Sequence, residues 1–386
     1  MSVSEAIATE EYPTSYLERR LPEEPPSINE LLEHRREPWA LGWIMDFGTG
    51  PGNVYNSSAS VWDSESNRWI SAVREENGGE FSSQIRFSSR VSDNPAETNR
   101  YEPNISNLSE LSLPYICQDP SLKRIYDDWF ITQVEVDPKS LNNASQDAYY
   151  TSAVYAGKRL DNLRLIARSP NKMKGVHLVG LPNRRIGIFT RPQCPGDPAR
   201  GGLGKAGFTV VESPDEITSD VLAAAPLIPE LFSDEAGEWG GVNDAFLLPN
   251  GDLAVLGHIA RFEPSEIKDS RGYYPIFFTF NPNSGQVNHL QILATVTDLR
   301  FNGQIKAARP DLENVFYPSA LWFPNRDITS PYAVLTGGIK DSEMAAIYIP
   351  NPLDGWLKAH PEYDVQSLGR PRLYLQRKDL AGSLAA

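Results

Sequence analysis

The chain has 386 residues, 36 of them basic and 50 acidic, for a formal net charge of −14. That length can bury a large core, and that charge repels a phosphate backbone, which argues against nucleic acid as a partner. No run reaches the roughly 18 apolar residues of a membrane span, and the N-terminal MSVSEAIATEEYP has neither a basic nor an apolar signal region, so a soluble, cytoplasmic protein without membrane contact is expected.

Residues 1–40 are charged and proline-punctuated, and they read as an N-terminal arm with one short helix. Ser27 followed by Glu30 is a capping box just before Leu31-Leu32. Residues 41–386 read as one β-rich catalytic domain. From Trp43 onward, runs such as SASVW, RWISAV, WFITQVEV, YYTSAVYA, VHLVGL, IGIFT, LAVLGHIA, YPIFFTF, YAVLTGG and AAIYI alternate with turns. Val, Ile, Phe, Tyr, Trp and Thr dominate them, as half-buried sheets favour.

The turns repeat as well. Leu181-Pro182-Asn183-Arg184, Leu248-Pro249-Asn250-Gly251-Asp252, Phe280-Asn281-Pro282-Asn283-Ser284-Gly285 and Phe323-Pro324-Asn325-Arg326-Asp327 each separate two apolar runs. Proline fixes φ, and Asn or Gly accepts the left-handed position, so each is a tight reversal. Units recurring roughly every 35–70 residues fit propeller blades with insertions. The expected class is all-β, a β-propeller with a few short helices, and a pair of β-sandwiches is the alternative. One later helix is expected from Ser213-Pro214-Asp215-Glu216 to about Ala225.

Several chemistries fall away. Gly48-Thr49-Gly50-Pro51-Gly52 has no βαβ surroundings, and Gly202-Leu203-Gly204-Lys205-Ala206 lacks the phosphate-loop spacing and hydroxyl. Cys117 and Cys194 form no metal spacing or disulfide framework, and the five histidines are scattered. No metal and no cofactor is expected. What remains is polar residues inside or beside apolar runs. Asp119 stands between Gln118 and Pro120 after LPYIC, and Arg74-Glu75-Glu76 ends WISAV. Arg191-Pro192 follows IGIFT, Asn243-Asp244 precedes a strand, His258 lies inside one, and Asp341-Ser342-Glu343 lies between two late strands.

In order, Asn53-Val54-Tyr55-Asn56, Arg74-Glu75-Glu76, Gln118-Asp119-Pro120, Phe189-Thr190-Arg191-Pro192-Gln193, Gly201 to Phe208, Gly257-His258-Ile259-Ala260 and Asp341-Ser342-Glu343 resemble the domain-of-unknown-function-1861 proteins. The resemblance runs over about residues 42–350. That group is identified with the β-1,2-mannoside transferase/phosphorylases of glycosyltransferase family 108, which build and degrade mannogen. They are similar in turn to the family-130 mannoside phosphorylases, which are five-bladed propellers.

The resemblance implies five blades and an inverting enzyme, independent of metal, that transfers or phosphorolyses β-linked mannosyl groups. Its partners would be a sugar, sugar phosphate or sugar nucleotide. Asp119 matches the single catalytic acid of a Glu-Asp-Pro motif in which Gln118 here replaces Glu. Arg74, Glu75, Ser83 and Asp341 match positions near the sugar and His258 one near phosphate; Asn53, Asn243, Asp244 and Glu343 are further candidates for the sugar, and Arg191, Lys205 and Arg309 are candidate cations for phosphate. An insertion, Cys194 to Arg200, departs from the family pattern before the glycines. A phosphorolytic mechanism needs one protein carboxyl group, because phosphate is itself the nucleophile, and cations to hold that phosphate. Two other uses of the scaffold stay open: an enzyme recruited to a specialised metabolite, and a non-catalytic binding platform. A homo-oligomer through the arm is also allowed.

Overall fold

The computed structural model describes residues 25–38, 42–47, 54–76, 82–96, 99–102, 105–141, 149–194, 203–234, 236–301 and 305–363. The described chain is mostly antiparallel β-sheet with a few helices of one or two turns. Asn53, Gly48 to Gly52 and the insertion 195–200 lie outside the described residues.

The strands fall into successive arrays. Val54–Ser57, Val61–Asp63, Arg68–Glu75, Gln84–Arg90 and Arg100–Tyr101 form the first sheet, and Ile116–Ile125, Asp128–Val136, Tyr150–Gly157 and Arg164–Arg168 the second. The third holds Met173–Gly180, Ile186–Cys194, Leu203–Gly204 and Gly207–Val211. An eight-stranded sheet follows. It contains two antiparallel arrays, one from Trp239–Leu247 to Val287–Ile292 and one from Asn314–Trp322 to Glu343–Pro350. These are joined by a short parallel pairing of Gly272 with Asn314 and Tyr273 with Val315. Gly42–Ile44 adds antiparallel to Glu343–Pro350, so the start of the fold is stitched to its last array.

The first strand of each array lies against the first strand of the next. Val54–Ser57 contacts Ile116–Ile125, followed in turn by Met173–Gly180, Trp239–Leu247 and Asn314–Trp322, which returns to Val54–Ser57. That return is tight. A Cβ on Gly338, beside Asn314–Trp322 in the last array, would stand 1.8 Å from the Tyr55 carbonyl oxygen, so only glycine fits. The apolar core lies in slabs between neighbouring arrays. Ile70, Phe87, Leu122 and Ile131 fill the first interface, and Phe130, Val154, Leu178 and Ile188 the second. Phe189, Phe208, Val255 and Phe280 fill the third, Leu256, Phe277, Phe316 and Leu335 the fourth, and Val54, Val73 and Met344 the last.

The expected turns occur as read. Asn183, Arg184, Asn325 and Arg326 have φ of 62°, 64°, 54° and 57°, and Gly251 and Gly285 have 93° and 71°. The capping box at Ser27 and Glu30 starts the helix Ile28–Glu33. This helix buries Ile28 and Leu31 in the core shared by the third and fourth arrays. Buried Glu238 accepts from the Ile28 amide at 2.6 Å, and Arg35 pairs with Asp298 at 2.8 Å. The described part of the arm thus packs on its own chain. The helix expected from Ser213 to Ala225 is instead a 3₁₀ turn at Pro214–Glu216 and a separate helix, Ser219–Ala223. Ile217 is extended between them and Thr218, not Ser213, supplies the side-chain cap.

Candidate functional site

Every first strand is broken by a β-bulge. The register slips between Val54 and Asn56, Gln118 and Ser121, Lys174 and His177, Val242 and Asp244, and Pro318 and Ala320. A bulge bends its strand and re-aims the side chains beside it. Here it turns residues of all these strands onto one small cleft, lined by Asn56, Ser57, Asp119, Pro120, His177, Asn243, Tyr317, Pro318 and Ser319.

Asp119 sits on one of these bulges with φ 49°, a left-handed conformation that a non-glycine residue holds only under constraint. In the sequence Gln118-Asp119-Pro120 follows the apolar run LPYIC, and the proline there reads as the end of a strand. The structure puts all three inside Ile116–Ile125, because the bulge leaves Pro120 out of the ladder. The Asn56 amide donates to Asp119 Oδ1 at 2.8 Å, and Arg74 stands 3.7 Å from the same oxygen. Arg74 also donates to Glu76 at 2.8 Å and lies 4.6 Å above the Tyr55 ring, whose hydroxyl donates to Glu76 at 2.6 Å. Burial opposes the Arg74 charge, but Tyr55, Asp119, Glu76 and Asp341 together hold its pKa above the ordinary value. Asp341, in the tight turn between Tyr332–Ile339 and Glu343–Pro350, thus acts electrostatically on this cluster.

Asn243 and Tyr317 line the cleft, and buried His258 packs against both. His258 Nδ1 lies 2.7 Å from Asn243 Oδ1. A carbonyl oxygen only accepts, so Nδ1 carries the proton and Nε2 is left as an acceptor, which has no partner among the described residues. Asn243 also bonds to the Tyr317 hydroxyl. The His258 ring packs against Tyr273 and Tyr317, with centroids 5.6 and 4.7 Å away. Burial pushes the His258 pKa well below its usual value, and the nearby positive charge of Arg191 adds to this, so the ring is neutral at pH 7. Arg191 Nε donates to the Gly240 carbonyl at 2.6 Å, and the Arg191 side chain runs through space that a Cβ on Gly204 or Gly241 would fill.

The family model described as "Protein of unknown function (DUF1861)" matches residues 43–355. The chain belongs to this family. No curated protein matches this DUF1861 chain. Among solved structures it is similar to a mannose phosphorylase from Leishmania mexicana in complex with phosphate ion, at 22% identity and a TM-score of 0.68 over 85% of this chain and 92% of that one. It is similar to a GDP-Man-dependent mannosyltransferase from the same organism, at 21% identity and 0.64 over 82% and 90%. It is also similar to a β-1,2-mannobiose phosphorylase from Listeria innocua, at 10% and 0.52 over 86% and 99%. At these identities the likeness is one of fold, propeller-like and mostly β.

In this DUF1861 chain the expected site residues divide. Asp119 and Asn243 line the cleft, Arg74 and Asp341 cluster behind Asp119, and Arg191 and His258 lie close enough for the arginine charge to act on the ring. Others are engaged elsewhere. Strand alternation turns Glu75 away from Arg74, and it pairs with Arg86 at 3.4 Å. Buried Ser83 donates to the Cys117 carbonyl at 2.7 Å and fixes the strand that carries Asp119. Asp244 is bound to Lys123 across two arrays. The Lys205 ammonium is held by Asp234 at 2.6 Å and by the Glu238 carbonyl at 3.2 Å. Arg309 is half exposed and paired with Asp311 at 3.2 Å. Glu343 begins Glu343–Pro350 opposite Ile339. The sequence reading gave no role to Tyr55, Asn56, Glu76, His177, Tyr317 or Ser319. Their signal would have been proximity to bulges, and bulges follow from pairing across the sheet.

Proposed function

We propose that this chain is a five-bladed propeller enzyme that transfers or phosphorolyses β-linked mannosyl groups, with Asp119 as its acid/base. One observation carries the reading: Asp119 is held on a left-handed bulge by Asn56 and Arg74, facing the cleft on which all the first strands converge. The fold likeness to a mannose phosphorylase and a mannosyltransferase supports the substrate class. The five blades are the three small sheets and the two arrays of the large one.

In phosphorolysis, a phosphate oxygen forms a bond to the anomeric carbon while the bond to the leaving sugar oxygen breaks. The bonding pair stays on that oxygen, which takes a proton from the acid form of Asp119, and the anomeric configuration inverts. In synthesis, Asp119 removes the proton of the acceptor hydroxyl. Arg191 is the cation to hold phosphate, and Asn56, Asn243 and Asp341 are hydrogen-bonding groups for the sugar. This displacement calls on no metal and no cofactor. Asn, Ser, Asp and His in the cleft wall, with Tyr317 its one Phe, Tyr or Trp among the described residues, favour a sugar over an aromatic metabolite.

The test is incubation with β-1,2-mannobiose and phosphate, and with GDP-mannose and mannose, following mannose 1-phosphate and new disaccharide. Wild type is expected to turn over at least one pair, and Asp119→Asn to lose about two orders of magnitude or more in kcat, the usual range for general acid–base catalysis. Inactive wild type sinks the mannosyl reading, and a fully active Asp119→Asn sinks the role of Asp119.

A further inference from the structure

The five bulges supply the cleft with a residue from every first strand. Four of them place Asn56, Asp119, Asn243 and Ser319 there, and the remaining bulge, in Met173–Gly180, places His177. Its irregularity covers Gly175 and Val176. Gly175 has φ 60°, and a Cβ there would lie 3.5 Å from the Arg191 side chain. The strand therefore turns sharply just before His177, which pairs with Phe189, two residues before Arg191 on the facing strand.

His177 is 5% exposed, and its Nδ1 has no hydrogen-bond partner among the described residues. A buried nitrogen without a partner is costly, and an apolar ring would fill the same space without that cost. His177 lines the cleft, so a ligand seated there that loosens the packing over Nδ1 is a partner from outside the chain. We infer that His177 is a ligand-contacting residue that exchanges a hydrogen bond with an uncharged hydroxyl of the bound sugar. The identity of the sugar rests on the mannosyl reading above, and the role of His177 does not. An uncharged group suits the site. Burial pushes the His177 pKa down to about 3, with Lys123 and Arg191 adding to the shift, so the ring is neutral at pH 7. A neutral imidazole has one donor and one acceptor, which matches a hydroxyl, while Arg191 carries the fixed charge an anion would seek.

The test combines imidazole ¹H–¹⁵N spectra with kinetics. The signal missing in His177→Phe assigns His177 among the five histidines of the chain. Mannose, β-1,2-mannobiose, glucose, myo-inositol and inorganic phosphate are titrated separately into wild type. A neutral sugar or polyol is expected to shift the His177 signal, and phosphate alone to leave it. In His177→Phe, kcat/KM for the mannoside should fall at least tenfold with the melting temperature unchanged or higher. Turnover of mannosides with an unshifted His177 and an unaffected Phe variant overturns the inference and spares the mannosyl reading. A shift with glucose or myo-inositol and no mannosyl turnover does the reverse. No shift and no turnover sinks both. A shift with phosphate alone, following protonation with pH, overturns the assignment to a neutral hydroxyl. If the Phe variant does not fold, His177→Asn replaces it in the kinetics and a tenfold loss is still expected.

Discussion

The Asn56 amide donates to Asp119 Oδ1 at 2.8 Å, and the two residues belong to different sheets. The carboxylate is thus oriented by a neighbouring array as well as by its own strand. Arg74, on a strand paired with that of Asn56, approaches the same oxygen at 3.7 Å. Misalignment of the first and second arrays would therefore turn the carboxyl group.

Asn56→Ala removes the oriented donor while leaving the Arg74 charge. Under the mannosyl reading, kcat should fall about a hundredfold, the scale of a 1 Å misplacement of a reacting group. KM for phosphate should change little, since Asn56 stands at Asp119 and not at Arg191. Steady-state kinetics in both substrates check this, and an unchanged kcat would show that Asp119 needs no help from the first sheet.

Legibility in the sequence followed the range of the forces. Pro-Asn turns were readable because φ restriction and left-handed tolerance act within four residues. Asp119 drew notice because Asp before proline beside an apolar run is locally odd, but that motif alone reads as a turn, and only the family resemblance attached a role to it. Glu75 and Glu76 show the limit. The motif drew attention to both, but strand alternation and the end of Arg68–Glu75 decide that Glu76, not Glu75, meets Arg74. Asn56 and His177 were unreadable for a related reason. A bulge reverses which side chains face the cleft, and where it falls depends on partners such as Arg74 for Asn56 and Phe189 for His177.

Gly338→Ala tests the closure between first and last arrays. Its Cβ would meet the Tyr55 backbone oxygen at 1.8 Å, and a backbone atom flanked by two sheets has little room to give. A loss of about 3 kcal/mol or more in unfolding free energy is expected, at or beyond the usual overpacking range. Gly251→Ala is the comparison, since no heavy atom lies within 4 Å of a Cβ there and only its φ of 93° opposes the change. Urea denaturation of the two variants distinguishes steric closure from glycine conformational preference: equal losses would mean that the array contact yields.

The buried histidines make stability depend on pH with a definite sign. The fold accommodates His177 as a neutral ring, its pKa lowered by burial from 6.5 to about 3, while in the unfolded chain it takes a proton below about 6.5. Between those values unfolding binds a proton, so stability falls as pH drops from 6.5 toward 3, and above 6.5 this group adds no slope. His258, also held well below its usual value chiefly by burial, acts in the same direction. Each histidine contributes a slope of up to about 1.4 kcal/mol per pH unit inside its window. Carboxylates add their own slope at acid pH, so the informative quantity is the difference between proteins. Urea midpoints of wild type and His177→Phe at pH 7.5, 6.5, 5.5 and 4.5 should run parallel above 6.5 and diverge below it, with the variant losing less. Parallel curves throughout would mean that His177 titrates alike in the folded and unfolded chain, and therefore that its ring is not held neutral beside Arg191.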